Sequence, residues 1–196
     1  YPKDMLETRT DEELITSIKA KENEKLEYLG YGRWNKRKGE IMKNNYLIMH
    51  GSFGNPFVNW FPWLRKEIEN RDLECYTPDF PTGVGRQNYK NWSKLLKCYV
   101  EAGILNENTI IFAHSIAPIF ICKFLVENKI KVKRLVFVCG FNHYLGVDEE
   151  YDAVNESMYF DNLTEVKNYC DDIVCFYTDN DPYVKQEVEK EFADTI

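Results

Sequence analysis

The chain has 196 residues, 44% hydrophobic and 29% charged, and its 32 acidic and 25 basic side chains leave a net charge of -7. This composition is typical of a globular protein and excludes wholesale disorder. The acidic balance opposes binding to nucleic acid or anionic lipid, and no apolar run approaches the ~18 residues of a transmembrane helix.

Six cysteines are scattered along the chain without a C-x-x-C pair. Cys122 and Cys139 fall inside apolar runs, where a buried, reduced thiol is the ordinary interpretation. The first residues show no signal-peptide pattern. Because reduced thiols are typical of reducing compartments, we predict a cytoplasmic protein.

Residues 1–41 are predicted to form an extension in front of the main domain. They hold nine acidic and nine basic side chains, so the whole negative excess lies in residues 42–196. A capping-box pattern at Thr10, followed by leucines and isoleucines at helical spacing, predicts one helix that ends near Gly30. Met42 directly precedes an apolar run, as a native start would, and we place the domain boundary there.

From residue 45 onward, short apolar runs alternate with amphipathic stretches. Strands are predicted at 46–49, 73–76, 109–113, 134–139 and 173–177, and helices at 57–70, 88–102, 117–128 and from 184. This alternation predicts an α/β fold with a doubly wound, mainly parallel sheet of about five strands. Ligand sites of such folds lie in the loops at the carboxyl ends of the strands.

The loop after the third predicted strand reads Ala113-His114-Ser115-Ile116-Ala117 and leads directly into a helix. Its form is that of the nucleophile elbow G-x-S-x-G, with alanine at both glycine positions. Small residues are needed there because the sharp turn packs them against strand and helix. The alternative interpretation is that Ser115 only caps the following helix.

The first predicted strand runs into His50-Gly51-Ser52-Phe53-Gly54. In hydrolases of this architecture, a His-Gly loop at this place supplies a backbone N–H to the oxyanion hole. For His50 itself we favour a structural role, as a buried turn histidine bonded to the backbone.

A third motif, Asp179-Asn180-Asp181-Pro182, follows the last predicted strand. A carboxylate at a late strand end is expected to orient the histidine of a catalytic triad, although Asp-Pro is also a common turn opener. Ser115 followed by Asp181 matches the order of the α/β-hydrolase class. No phosphate-binding loop and no metal-ligand pattern occur, so we expect no cofactor and no metal.

These motifs resemble the small α/β-hydrolases of the retinoblastoma-binding protein 9 and YdeN-like serine hydrolase family, over about residues 43–196. The matching features are His50-Gly51, Trp60, Pro78-Asp79-Phe80-Pro81, Trp92, His114-Ser115 and Asp179 to Val184. The resemblance implies that Ser115 is the nucleophile and that Asp181 orients the histidine. It also implies that the N–H groups of Ser52 and Ile116 are the oxyanion donors.

The chain departs from that family in its histidine. The family's catalytic histidine lies in a Gly-His-Phe segment after the last strand, whereas this chain stops at Ile196. We therefore expect a hydrolase domain, residues 42–196, that is truncated before its last strand and poorly active. His143 is the alternative base; His114 adjoins the nucleophile, but neighbouring side chains at an elbow point in different directions.

The predicted function is hydrolysis of a small carboxylic ester, thioester or amide through an acyl-enzyme on Ser115. The expected partner is a small-molecule substrate, with a protein partner left open and neither nucleic acid nor membrane expected. Aromatic residues are candidates for the pocket wall, with ordinary packing as the alternative: Phe80, Tyr89, Trp92, Phe141 and Tyr144. The alternative function is a non-catalytic protein-interaction module on the same fold.

Overall fold

A computed structural model describes residues 44–196 of the chain. The predicted extension, residues 1–41, lies outside the described residues. The described part contains a sheet of five parallel strands in the order β2-β1-β3-β4-β5. The strands are β1 (Asn45–Met49), β2 (Glu74–Tyr76), β3 (Thr109–His114), β4 (Arg134–Val138) and β5 (Ile173–Phe176). The predicted α/β fold is confirmed.

Five α-helices connect or follow these strands. They are α1 (Phe61–Glu69), α2 (Tyr89–Glu101), α3 (Ala117–Asn128), α4 (Glu149–Asn155) and α5 (Gln186–Thr195). Two short 3-10 helices, Glu156–Met158 and Leu163–Asn168, lie between α4 and β5. The sequence patterns predicted neither these turns nor α4. In α4 only Val154 and Asn155 are buried, so the helix carries almost no hydrophobic periodicity.

The sheet packs against helices on both faces. Leu47 and Met49 point into the larger apolar cluster with α2 and α3, whereas Ile48 points into a smaller cluster with α1. Side chains alternate between the two faces of a strand, so this division places helices on both sides of β1. Helix α3 lies deepest, with eight of its residues buried. The doubly wound architecture follows from this packing.

All five strands run in the same direction, so their carboxyl ends meet at one edge of the sheet. The segments that follow β1, β3, β4 and β5 begin at His50, Ser115, Cys139 and Tyr177. The three predicted motifs therefore lie at the same edge. Within the described range 44–196, no helix combines the length and apolar character needed to cross a bilayer.

Candidate active site

Ser115 lies at the top of a sharp turn between β3 and α3. Its φ of 63° is in the left-handed region, which costs a non-glycine residue roughly 1–2 kcal/mol. The Ser115 N–H donates to the Val138 carbonyl at 3.0 Å, which holds the turn against β4. Ala113 and Ala117 are fully buried, so the core accommodates their methyl groups in place of the two glycines. The N-cap of α3 is Ile116, so the alternative interpretation of Ser115 as a helix cap is wrong.

The loop after β1 packs directly on this serine. A Cβ built on Gly51 would lie 2.5 Å from Ser115 Cβ and 3.0 Å from Ser115 Oγ, far inside van der Waals contact. Only glycine allows this approach of two backbone segments. The Gly54 N–H donates to the Gly51 carbonyl at 3.1 Å and closes the loop into a turn.

His50 stabilises this loop and is not available as a base. Its side chain is buried, and its Nε2 accepts a hydrogen bond from the Phe80 N–H at 3.0 Å. The ring is therefore neutral with its proton on Nδ1, which donates to the Gly51 carbonyl at 2.9 Å. The predicted structural role of His50 is confirmed.

The two N–H groups predicted as oxyanion donors belong to residues adjoining the contact between Gly51 and Ser115. Ile116 directly follows the nucleophile, and Ser52 follows the glycine that packs against it. Among residues 44–196, neither N–H donates a hydrogen bond to a backbone carbonyl. A backbone N–H that donates to no carbonyl of the protein is available to a substrate oxygen. The assignment of Ser52 and Ile116 stays a prediction.

A buried polar network stabilises the loop that follows β1. The Ser52 hydroxyl donates to Asn155 Oδ1 at 2.7 Å, and Gln87 Nε2 donates to the same oxygen at 2.8 Å. Gln87 Oε1 accepts from the Phe53 N–H at 3.0 Å. Gln87 and Asn155 are almost fully buried, where hydrogen bonds are costly to break. The network joins the loop to α4.

Asp181 lies in the loop between β5 and α5, beside the end of β4. Its Oδ1 accepts from the Tyr183 and Val184 N–H groups, both at 2.8 Å. Burial raises the pKa of Tyr151 and lowers that of His114, and the charge of Asp181 adds to the first shift and opposes the second. His114 directly precedes Ser115, and the Tyr151 hydroxyl lies 3.5 Å from Ser115 Oγ. Asp179 is exposed.

Cys139 and Glu189 lie next to Asp181, with one ligand-type atom of each residue within 4.8 Å of the others. In the part of the chain that the structure describes, this is the one such group able to hold a metal ion. Burial and the adjacent Glu189 and Asp181 carboxylates raise the pKa of the Cys139 thiol to about 12. Burial also raises the pKa of Glu189. A metal ion would have to displace the thiol proton before all three residues could bind it.

The other two histidines do not hydrogen-bond to the nucleophile. The His114 ring packs edge-on against Trp60 and Phe61, with centroids 6.1 Å and 5.7 Å away. His143 is half-exposed and lies at the surface, with Nε2 4.0 Å from Glu191 Oε2. Among residues 44–196, no histidine nitrogen is hydrogen-bonded to Ser115 Oγ. The proposed substitution of His143 as base gains no support from this geometry.

The environment of His114 predicts a pH dependence of stability. Burial lowers the pKa of His114 below its ordinary 6.5. Below pH 6.5 the unfolded chain therefore binds a proton that the folded protein still excludes, and the free energy of unfolding falls as the pH drops through this window. We expect His114→Phe, which keeps the aromatic packing, to flatten the loss of urea stability between pH 7 and pH 5. Equal slopes for both proteins would contradict this.

The structure places beside Ser115 a residue that the sequence did not indicate, Tyr151. The Tyr151 hydroxyl lies 3.5 Å from Ser115 Oγ. Its ring lies beside Phe53, with centroids 6.2 Å apart, and is parallel to that of Tyr183. Asp148 caps α4 by accepting from the Tyr151 N–H at 2.7 Å, and this capping pattern was the one local signal for the helix. Nothing local indicated the contact with Ser115.

The aromatic residues suggested for the pocket wall lie elsewhere. Phe80, Trp92 and Phe141 are fully buried in the core, so for them that suggestion is wrong and the packing alternative is confirmed. Tyr89 donates to Glu127, and Tyr144 packs against Tyr159 at the surface. Tyr151 lies beside Ser115, and the rings of Phe53 and Tyr183 lie next to the Tyr151 ring.

A parallel α/β sheet with a serine on the tight β3–α3 turn, a glycine loop against it and an acid after the last strand defines the α/β-hydrolase class of proteins. The family model described as Serine hydrolase matches residues 46–196. The chain therefore belongs to the serine hydrolase family, as its motifs predicted.

Individual relatives are distant. Over 102 residues the chain is 26% identical to "Putative hydrolase YdeN" of Bacillus subtilis (strain 168), a match that spans 51% of this chain and 52% of that protein, or about half the length of each. The crystal structure of the B. subtilis ydeN gene product superimposes with a TM-score of 0.66 and 21% sequence identity, covering 79% of this chain and 81% of that one. Est1E from Butyrivibrio proteoclasticus, solved with ferulic acid, superimposes with a TM-score of 0.60 and 12% sequence identity. This match covers 82% of this chain and 79% of the Est1E chain. Both structures show that the fold is shared.

Proposed function

We propose that this protein hydrolyses a small carboxylic ester, thioester or amide through an acyl-enzyme on Ser115. The observation that carries the proposal is the close approach of Gly51 to Ser115, which supports Ser52 and Ile116 as the residues whose N–H groups bind the substrate oxygen. A serine on a left-handed turn between a strand and a helix, with a glycine loop packed against it, is arranged to attack a carbonyl carbon. The family membership supports the same reaction class.

In the proposed reaction, Ser115 Oγ bonds to the carbonyl carbon while its proton passes to a base. The developing oxyanion is stabilised by the Ser52 and Ile116 N–H groups, and loss of the leaving group gives the acyl-enzyme. Water then releases the acid by the reverse proton transfers. Asp181 orients the base, which we propose to be a histidine outside the described residues. The proposed site of action is the cytoplasm.

The test is covalent labelling by a fluorophosphonate, together with hydrolysis of p-nitrophenyl acetate. We expect the full encoded protein to be labelled and to turn over the ester, and a chain ended at Ile196 to be slower by roughly 10²–10⁴-fold for want of the base. Equal rates would overturn the proposed base. Absence of both labelling and turnover in the full encoded protein would instead favour a protein-interaction module.

A charge-only substitution separates the two candidate acids. Asp181→Asn keeps the Oδ1 acceptor for the Tyr183 and Val184 N–H groups, so the loop is preserved while the negative charge is lost. We expect kcat for p-nitrophenyl acetate to fall by at least about 10²-fold, because the charge that stabilises the protonated base is gone. Asp179→Asn is the matched control, and comparable losses from both changes would contradict the assignment.

A further inference from the structure

Helix α4 contributes two side chains to the site from one face. Tyr151 and Asn155 are four residues apart and therefore project from the same side of the helix. The Tyr151 hydroxyl lies 3.5 Å from Ser115 Oγ, and Asn155 accepts the hydrogen bond of the Ser52 hydroxyl at 2.7 Å. One helix thus contacts both the nucleophile and the proposed oxyanion loop.

The position of Tyr151 is fixed on several sides. Asn155 is fully buried and anchors the end of α4 to the loop, while Asp148 caps its start. Asp152 accepts from the Leu145 and Gly146 N–H groups at 2.9 Å and 3.0 Å, which ties the preceding loop to the helix. A hydroxyl held in this way does not have to reorganise when charge develops beside it.

The chemical state of the hydroxyl suits a donor and not a base. Burial raises the pKa of Tyr151, and the nearby Asp181 and Asp152 charges act in the same direction. The phenol is therefore protonated at neutral pH and has a proton to donate. Ser115 and Ser52 are the hydrogen-bonding side chains that it faces, and Ser52 belongs to the loop on the oxyanion side.

We propose that Tyr151 is a further catalytic residue, whose hydroxyl donates a third hydrogen bond to the substrate carbonyl oxygen as that oxygen becomes an oxyanion. This inference rests on the proposed hydrolysis at Ser115. As the Oγ–carbon bond forms, the π pair of the carbonyl moves to its oxygen and the Oγ proton passes to the imidazole base. Tyr151 keeps its own proton throughout. The new oxyanion is attached to the same carbon as Oγ, which places it within reach of a hydroxyl 3.5 Å from Oγ.

The test compares Tyr151→Phe with Tyr183→Phe in the full encoded protein. Each change removes one phenolic hydroxyl and leaves its ring in the parallel pair. Loss of one oxyanion donor typically costs about 10²–10³ in kcat, and since two backbone donors remain we expect a loss of at least about tenfold for Tyr151→Phe on p-nitrophenyl acetate. KM should change little, because the bond strengthens only in the transition state. Tyr183→Phe should retain the parent kcat.

A second measurement does not depend on how much of the variant folds. Sulfur accepts hydrogen bonds poorly, so the rate ratio of p-nitrophenyl acetate to its thionoester reports the donors that face the oxyanion. We expect this ratio to be several-fold smaller for Tyr151→Phe than for the parent protein or Tyr183→Phe. An unchanged ratio, an unchanged kcat or equal losses in both variants would overturn the role of Tyr151. Retention of hydrolysis by Ser115→Ala would instead overturn the proposed function itself.

Discussion

Ser115→Ala is expected to abolish fluorophosphonate labelling and to lower hydrolysis of p-nitrophenyl acetate by at least about 10³-fold, because the attacking oxygen is removed. The fold should persist. Ala113 and Ala117 already place methyl groups beside this turn, and the Ser115 N–H bond to Val138 does not involve the side chain. The measurement is in-gel labelling and initial rates, with thermal unfolding as the check on folding.

Ser157→Ala is the matched control for this experiment. Ser157 is exposed and its hydroxyl accepts from the Tyr89 N–H, so it is not placed to act as a nucleophile at the strand ends. We expect the control to be labelled as the parent protein is. Labelling of Ser115→Ala at the parent rate would refute the assignment of the nucleophile, whatever the substrate.

Gly51→Ala should disturb both the turn that carries Ser115 and the loop packed against it. The added methyl group would lie 2.5 Å from Ser115 Cβ, so either the elbow or the loop must move. A displacement of about 1 Å at a catalytic group can cost 10²-fold in rate, and here it would separate the nucleophile from the Ser52 N–H at the same time. We therefore expect kcat/KM for p-nitrophenyl acetate to fall by about 10²-fold or more, and fluorophosphonate labelling to slow in parallel.

Gly103→Ala controls for the general cost of replacing glycine. Gly103 has a φ of 75° and open space around its Cβ position, at the end of α2 and away from the site. This change should lower the free energy of unfolding by about 1 kcal/mol through backbone strain and leave kcat unchanged. If Gly51→Ala retained full activity, or if Gly103→Ala lost activity to the same extent, the close approach of Gly51 to Ser115 would not matter for catalysis.

Local patterns in the sequence were sufficient to predict the sheet and the serine on the tight turn after β3, the candidate nucleophile. Apolar runs at 109–113 and 134–139 matched the central strands because strands buried on both faces need apolar residues at consecutive positions. Ser115 was found because a tight strand-to-helix turn needs small residues on both sides, a requirement confined to five adjacent positions. For Trp92 and Phe80 the sequence could not distinguish a position in the core from one in a pocket wall, because aromatic residues are common in both.

The tertiary structure alone brought Tyr151, Asn155 and Gln87 to the site. Tyr151 is 36 residues from Ser115 in sequence, and Asn155 is 103 residues from Ser52. Both lie on a short polar helix whose stability depends on its cap and its contacts and not on an apolar face. Hydrogen bonds between such distant polar residues leave no periodic trace in the sequence, because they are decided by how the segment after β4 folds back over the strand ends. Hydrophobic periodicity and turn-forming residues are local features, so the elements that they determine could be predicted from the sequence. Which buried polar groups hydrogen-bond to each other depends on residues far apart in the chain, so these contacts could be identified only in the folded structure.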